Sequence, residues 1–119
     1  MPHHIRLGKM GEDLAVQYLI DKGHRILHRN YKYNKTEIDI ISQSDETVVF
    51  TEVKTRTTLH FGYPEDAVTK SKKQKILNAL NYYIETFNIT IEPRIDIIAI
   101  TIVRNKVEIV HLEDAFYHF

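Results

Sequence analysis

Apolar residues recur along this chain at helical spacing, then at strand spacing, then at helical and strand spacing again. Leu14, Ala15, Tyr18 and Leu19, with Gly11 ahead of them, fall on one side of a 3.6-residue repeat. That pattern predicts an amphipathic helix over 7–21, ended by Gly23. Residues 24–33 read as an edge-like strand with a polar, basic side, followed by Asn34-Lys35 as a turn. Two apolar strands come next, over 37–41 and 48–54. The segment between them, Ser42-Gln43-Ser44-Asp45-Glu46-Thr47, is a short polar link suited to antiparallel neighbours. Residues 55–69 contain Gly62 and Pro64 but few periodic apolar positions, which predicts a long loop directly after the second strand. Ser71 and Gln74 fit a capping box that starts a second helix. Ile76, Leu77, Leu80, Ile84 and Phe87 give that helix a face to cover the sheet. Residues 94–103 are apolar on both faces and predict a central buried strand. Arg104-Asn105-Lys106 forms a turn, 107–111 returns as a strand, and 112–119 packs as a turn or short helix. The order helix, strands, helix, strands predicts an α/β sandwich, a mixed sheet with a helix on each flank.

Composition narrows the class. A chain of 119 residues fits one domain. Its 43% apolar and 27% charged content is that of an ordinary globular protein. No stretch approaches the ~20 consecutive apolar residues of a membrane span, and residues 1–10 lack the pattern of a secretory signal. A cytoplasmic location is expected. The absence of cysteine excludes disulfides and thiolate zinc sites.

The chemistry concentrates in the two strands over 37–41 and 48–54. Asp39 stands among isoleucines in Glu37-Ile38-Asp39-Ile40-Ile41, and the next strand ends in Glu52-Val53-Lys54. Strand side chains alternate between faces, so Glu52 and Lys54 project to one side and Val53 to the other. Adjacent strands would then bring two carboxylates and an ammonium together. An ionised carboxylate in an apolar strand is costly unless compensated, and a divalent cation with a lysine compensates two of them. Magnesium or manganese, hard cations that favour oxygen, would take Asp39, Glu52 and a backbone carbonyl near Val53, with water in the remaining positions. Such a cation lowers the pKa of water and stabilises charge on a phosphate oxygen, while Lys54 orients or deprotonates the attacking water. Phosphodiester hydrolysis is the chemistry this set suits. A solvated strand end with a surface ion pair is the plainer alternative for Glu52-Val53-Lys54.

Glu12 is a further candidate acid, beside Gly11 and Ala15 on the helix side that faces the sheet. Glu12-Asp13 also suits the first turn of a helix for dipole reasons alone. None of the seven histidines forms a spaced pair near these strands, and they are expected at the surface. The formal net charge is zero, yet Lys22, Arg25, Arg29, Lys32 and Lys35 run without an intervening acid. Lys70, Lys72, Lys73 and Lys75 make a second basic cluster. Both suit phosphate contacts or solvated faces. First-turn lysines oppose the helix dipole unless an anion neutralises them. Arg94 and Asp96, on one strand face, suit a structural ion pair or a phosphate contact, and the ion pair is the expectation.

Taken in order, Gly11-Glu12-x-x-Ala15-x-x-Tyr18-Leu19, Glu37-Ile38-Asp39-Ile40-Ile41, Phe50-Thr51-Glu52-Val53-Lys54-x-Arg56, Gly62-x-Pro64-x-x-Ala67-Val68 and Arg94-Ile95-Asp96-Ile97-Ile98-Ala99-Ile100 resemble the YraN-like bacterial proteins (UPF0102). That family has a predicted restriction-endonuclease-like fold, similar to archaeal Holliday-junction resolvases within the PD-(D/E)xK nuclease superfamily. The resemblance implies a three-layer α/β/α fold with a central mixed sheet, and a Mg²⁺- or Mn²⁺-dependent endonuclease acting on DNA, including branched DNA; a homodimer, with two symmetric active sites, would suit paired incisions. It also implies a metal-binding and catalytic triplet of Asp39, Glu52 and Lys54, an additional acid at Glu12, and a basic residue at Arg56. Arg29, Lys70, Lys72 and Lys73 are the further candidates for DNA contact. A non-catalytic nucleic-acid-binding module is the alternative. Thr36 departs from the family's usual glycine and Thr51 from its usual aliphatic residue.

Overall fold

A computed structural model of the chain describes residues 3–57 and 69–116. The chain runs α1 (His3–Asp21), β1 (Arg25–Tyr33), β2 (Thr36–Ser44), β3 (Thr47–Arg56), α2 (Lys70–Thr86), β4 (Glu92–Val103) and β5 (Lys106–Leu112). The strands form one sheet in the order β1-β2-β3-β4-β5. All neighbours are antiparallel except β3 and β4, which are parallel. A parallel pair needs a crossover, and α2 lies within it.

Two apolar layers sandwich the sheet. Under α2, Ile76, Ala79, Leu80 and Tyr83 pack on Ile38, Ile41, Val48, Phe50, Ile95 and Ile97. Under α1, Ala15 and Leu19 pack on Ile40, Ile98 and Ile100. Ile97 and Ile98 serve opposite layers because adjacent strand residues face opposite ways. The fold is therefore a three-layer α/β/α sandwich of the restriction-endonuclease-like kind.

Several boundaries differ from expectation, each for a local reason. Helix α1 begins at His3, so Glu12 and Asp13 sit in mid-helix and its first turn holds no acid. The dipole therefore does not account for Glu12. The helix ends as foreseen. Gly23 takes φ +98°, its N–H donates to the Ile20 carbonyl at 2.9 Å, and His24 N–H donates to Leu19 at 2.9 Å. The N-cap of α2 is Thr69, not Ser71: the Thr69 hydroxyl accepts from Lys72 N–H at 3.1 Å. The β2–β3 link shrinks to Asp45-Glu46, because Ser44 and Thr47 are already paired. Strand β3 continues through Arg56, into what the sequence suggested was loop. Gly62, Pro64, Ala67 and Val68 lie outside the described residues. Interior strand β4 is flanked by β3 and β5, while β3 holds the centre of the sheet.

The two departures from the family pattern find distinct places. Thr36 is the first residue of β2 and pairs with Tyr33, and the positive φ of the turn, +56°, is carried by Asn34 instead. A glycine at 36 is thus not required by this turn. Thr51 is fully buried, and its hydroxyl has no hydrogen-bond partner among the described residues.

Three of the histidines expected at the surface are not: His24 and His28 pack inside, and the His111 side chain is only 4% exposed. His24 is buried and its Nδ1 lies 2.9 Å from Ser42 Oγ. His28 packs edge-on against Tyr31, Tyr83 and Phe87. The tight helix end at Gly23 turns His24 inward, which a strand pattern alone does not reveal.

Candidate functional site

The ladder between β2 and β3 runs as far as Ile40–Thr51. One residue further along each strand stand Asp39 and Glu52. Here the regular alternation of β2 breaks, since Ile38 packs under α2 while Ile40 packs under α1. With the strands parting, the Val53 N–H is taken by a side chain, donating to Asp39 Oδ2 at 2.7 Å. Val53, whose carbonyl was a proposed ligand, thus meets Asp39 through its amide.

Strand β1 is irregular at the same level: Asn30, between the Arg29–Ile40 and Tyr31–Ile38 pairs, adopts φ +52°, and the pairing has already shifted between Ile26 and His28, opposite Ser42 and Ile41. An irregularity of this kind re-aims a side chain. Asn30 Nδ2 donates to Glu12 Oε1 at 2.8 Å and to Glu37 Oε1 at 2.9 Å, tying α1 to β2. Glu12 comes this close because Gly11 lies against β3. A Cβ on Gly11 would come within 2.7 and 2.8 Å of the Cβ and Cγ2 of Thr55, so only glycine permits the approach.

Oxygen atoms of Glu12, Glu37 and Asp39 all lie within 4.8 Å of one another. Burial, the charge of Glu52, and then the charges of Glu12 and Glu37 push the Asp39 carboxyl up to about 8, against the lowering effect of the Val53 amide. Among the described residues no lysine or arginine bonds to Asp39. The donors are hard oxygens from α1 and β2 around an uncompensated acid, a set that suits a divalent cation of the magnesium class.

Glu52 is engaged differently. It accepts from Lys72 Nζ, in the first turn of α2, at 2.5 Å, and its side chain is only 13% exposed. That carboxylate is the anion offsetting one of the first-turn lysines. Glu37, Asp39, Glu52, Lys35, Lys72 and Lys75 line a pocket of about 450 Å³. Lys54 follows on the Glu52 side of β3 and is exposed.

The other candidates lie around this centre. Arg29 donates to Asp13 Oδ1 at 2.6 Å. Lys73 lies over the Phe116 ring, 5.4 Å from its centroid, and Lys70 is exposed at the start of α2. Arg56 is half-buried at the end of β3. Glu37 and Asn30 were not singled out as site residues in the sequence. Period-two spacing from Asp39 was a signal for Glu37; Asn30 gave none, because its reach depends on the irregular β1.

A second polar cluster is structural. Asp96, fully buried, accepts from Arg94 Nε at 2.8 Å, Arg94 Nη2 at 2.9 Å and Asp114 N–H at 3.0 Å, with His111 Nε2 at 2.7 Å. Burial works to raise its pKa, but these hydrogen bonds prevail and hold it below the usual carboxylate range.

The model of the uncharacterised protein family UPF0102 matches residues 11–100. The chain belongs to the UPF0102 family. It is 46% identical over 119 residues to a UPF0102 protein of Flavobacterium psychrophilum, spanning 100% of both chains. It is 46% identical over 121 residues to one of Christiangramia forsetii, again over 100% of both. A UPF0102 protein of Clostridioides difficile is 38% identical over 110 residues, covering 92% of this chain and 95% of its own. The UPF0102 match takes in Glu12, Asn30, Glu37, Asp39, Glu52 and Lys54. No helix among the described residues is long and apolar enough to cross a membrane.

Proposed function

We propose that this chain is a metal-dependent endonuclease that hydrolyses phosphodiester bonds in DNA, branched or otherwise structured. The observation that carries the reading is Asp39, whose carboxyl is pushed up to about 8 by burial and by Glu52, Glu12 and Glu37, at the mouth of a lysine-lined pocket. Asp39, Glu52 and the Val53 carbonyl would hold the cation, with Glu12 and Glu37 offering further oxygens. A bound Mg²⁺ or Mn²⁺ supplies Lewis-acid stabilisation of the charge that builds on a phosphate oxygen.

The remaining work falls to the chain itself. Lys35 and Lys75, on the pocket wall, attract the phosphate backbone locally in a molecule with no net charge. Lys54, on the Glu52 side of β3, orients the attacking water. Lys72 holds one oxygen of Glu52 and leaves the other for a cation, while its ammonium stands on the pocket wall within reach of a phosphate.

Purified protein incubated with Mg²⁺ or Mn²⁺ and linear, flapped, single-stranded and four-way DNA tests the proposal. Cleavage is expected, with Glu52→Gln and Lys54→Ala each lowering the rate by about 100-fold or more. Cleavage surviving both changes comes from a contaminant and overturns the reading. The Lys72–Glu52 ion pair favours a second reading, a nucleic-acid-binding module without turnover, in which lysine rather than a cation neutralises Glu52. DNA binding with no metal-dependent cleavage by wild type would select it.

A further inference from the structure

Next to the carboxylate pocket lies a second recess of about 470 Å³, lined by Tyr33, Asn34, Lys35, Thr36, Lys75 and Asn78. Lys35, Thr36 and Lys75 line both recesses, so the two share a wall. The volume lies within the ~300–1,000 Å³ usual for small-ligand sites. Tyr33, the last residue of β1, stacks on Tyr82 of α2 with ring centroids 4.5 Å apart and planes inclined by 30°. Tyr82 is 47% exposed beyond that stack.

We propose that this recess is a subsite for one unpaired nucleobase of the substrate strand, beside the phosphate held at the carboxylates. The proposal rests on the nuclease reading of the neighbouring pocket and narrows its substrate to strands with an unstacked base there: single strands, flaps and branch points. Three features converge. Tyr33, which lines the recess and is held by its stack on Tyr82, offers an aromatic surface, and every base has a π-face to lay on one. Asn34 and Asn78 carry neutral amides, which offer both donors and acceptors to a base edge. The shared Lys35 and Lys75 place cations between the aromatic recess and the carboxylates, where the backbone linking base and phosphate would run. An acidic peptide would use the lysines but has no need of the rings and amides together. Within an intact duplex each base is stacked on both faces, so the surface serves only a base that has left the stack.

Binding measured in chelator, where no cleavage alters the probe, tests this directly. Fluorescence anisotropy compares a labelled single-stranded oligonucleotide, an abasic oligonucleotide of the same length and a blunt duplex. Wild type should bind the single strand about 5- to 150-fold more tightly than the abasic strand, the range that one base stacked on a tyrosine supplies. Tyr33→Leu and Tyr82→Leu should each reduce that ratio, and Tyr33→Phe, which keeps the ring, should preserve it. Tyr82→Leu alters an exposed position and keeps the test valid should Tyr33→Leu fail to fold. Equal binding of single and abasic strands by wild type overturns the subsite, as does a ratio unchanged in the leucine variants or a preference for blunt duplex. Failure of the subsite is separable from failure of the nuclease: cleavage with Mg²⁺ that ignores both tyrosines removes the first alone, and base-dependent binding without cleavage removes the second alone.

Discussion

Asp39 carries an unusual proton balance, and stability should record it. A carboxyl in the unfolded chain releases its proton near pH ~3.9, whereas in the fold Asp39 keeps it to about 8. Between those values the folded state binds more protons than the unfolded state, so this residue makes the protein less stable as pH rises. The contribution is harmless at the acid end of that window and fully adverse above pH 8. Asp39→Asn keeps an oxygen for the Val53 amide and removes the charge. Thermal melts in chelator should show the variant more stable than wild type at pH 8, with the difference shrinking toward pH 4. Equal pH slopes for the two proteins would contradict this electrostatic picture. Asp96 is the opposite case, since the Arg94, His111 and Asp114 hydrogen bonds hold its pKa down and favour its charged form. Two aspartates, both surrounded by isoleucines in sequence, are separated by their partners. Arg94, two residues from Asp96 on the same strand face, marked that aspartate in the sequence as one half of a structural ion pair, and the fold adds His111 and the Asp114 N–H, which the sequence did not signal.

At the scale of elements, the contact of α1 with β3 sets where Glu12 stands. Gly11 is buried against Thr55, and a methyl group there would force the helix away from a β-branched side chain that has little freedom to move. Gly11→Ala should cost about 1–3 kcal/mol of stability by overpacking, measured by denaturant unfolding. A change below 0.5 kcal/mol would mean that the two elements part easily and that Glu12 is not held in place. The apolar periods foretold both helices and all five strands, because burial on one or two faces writes itself into spacing. They failed where a single residue broke the period. Asn30 at φ +52° entered the carboxylate centre from β1, and Gly23 turned His24 inward. Thr69 took the cap because α2 begins at Lys70, two residues ahead of the expected serine-led start.

For the molecule as a whole, the topology explains why the charged residues gather at one end of β2 and β3. Strand β3 is central, antiparallel to β2 and parallel to β4, and the β2–β3 ladder reaches only to Ile40 and Thr51. Beyond it, α1 delivers Glu12 on one side and the first turn of α2 delivers Lys72 on the other. The whole arrangement leaves Asp39 with acids on several sides and no cationic side chain bonded to it among the described residues. A cation that binds only the folded centre must stabilise the fold by RT ln(1 + [L]/Kd), about 2.7 kcal/mol at one hundred times Kd. Mg²⁺ titrated into chelator-stripped protein during thermal unfolding at pH 8 measures this directly. Wild type should gain several degrees in melting temperature with saturating behaviour, and Asp39→Asn should gain little. A melting temperature indifferent to Mg²⁺ and Mn²⁺ in wild type, or a gain of the same size in Asp39→Asn, would contradict a cation site at these carboxylates.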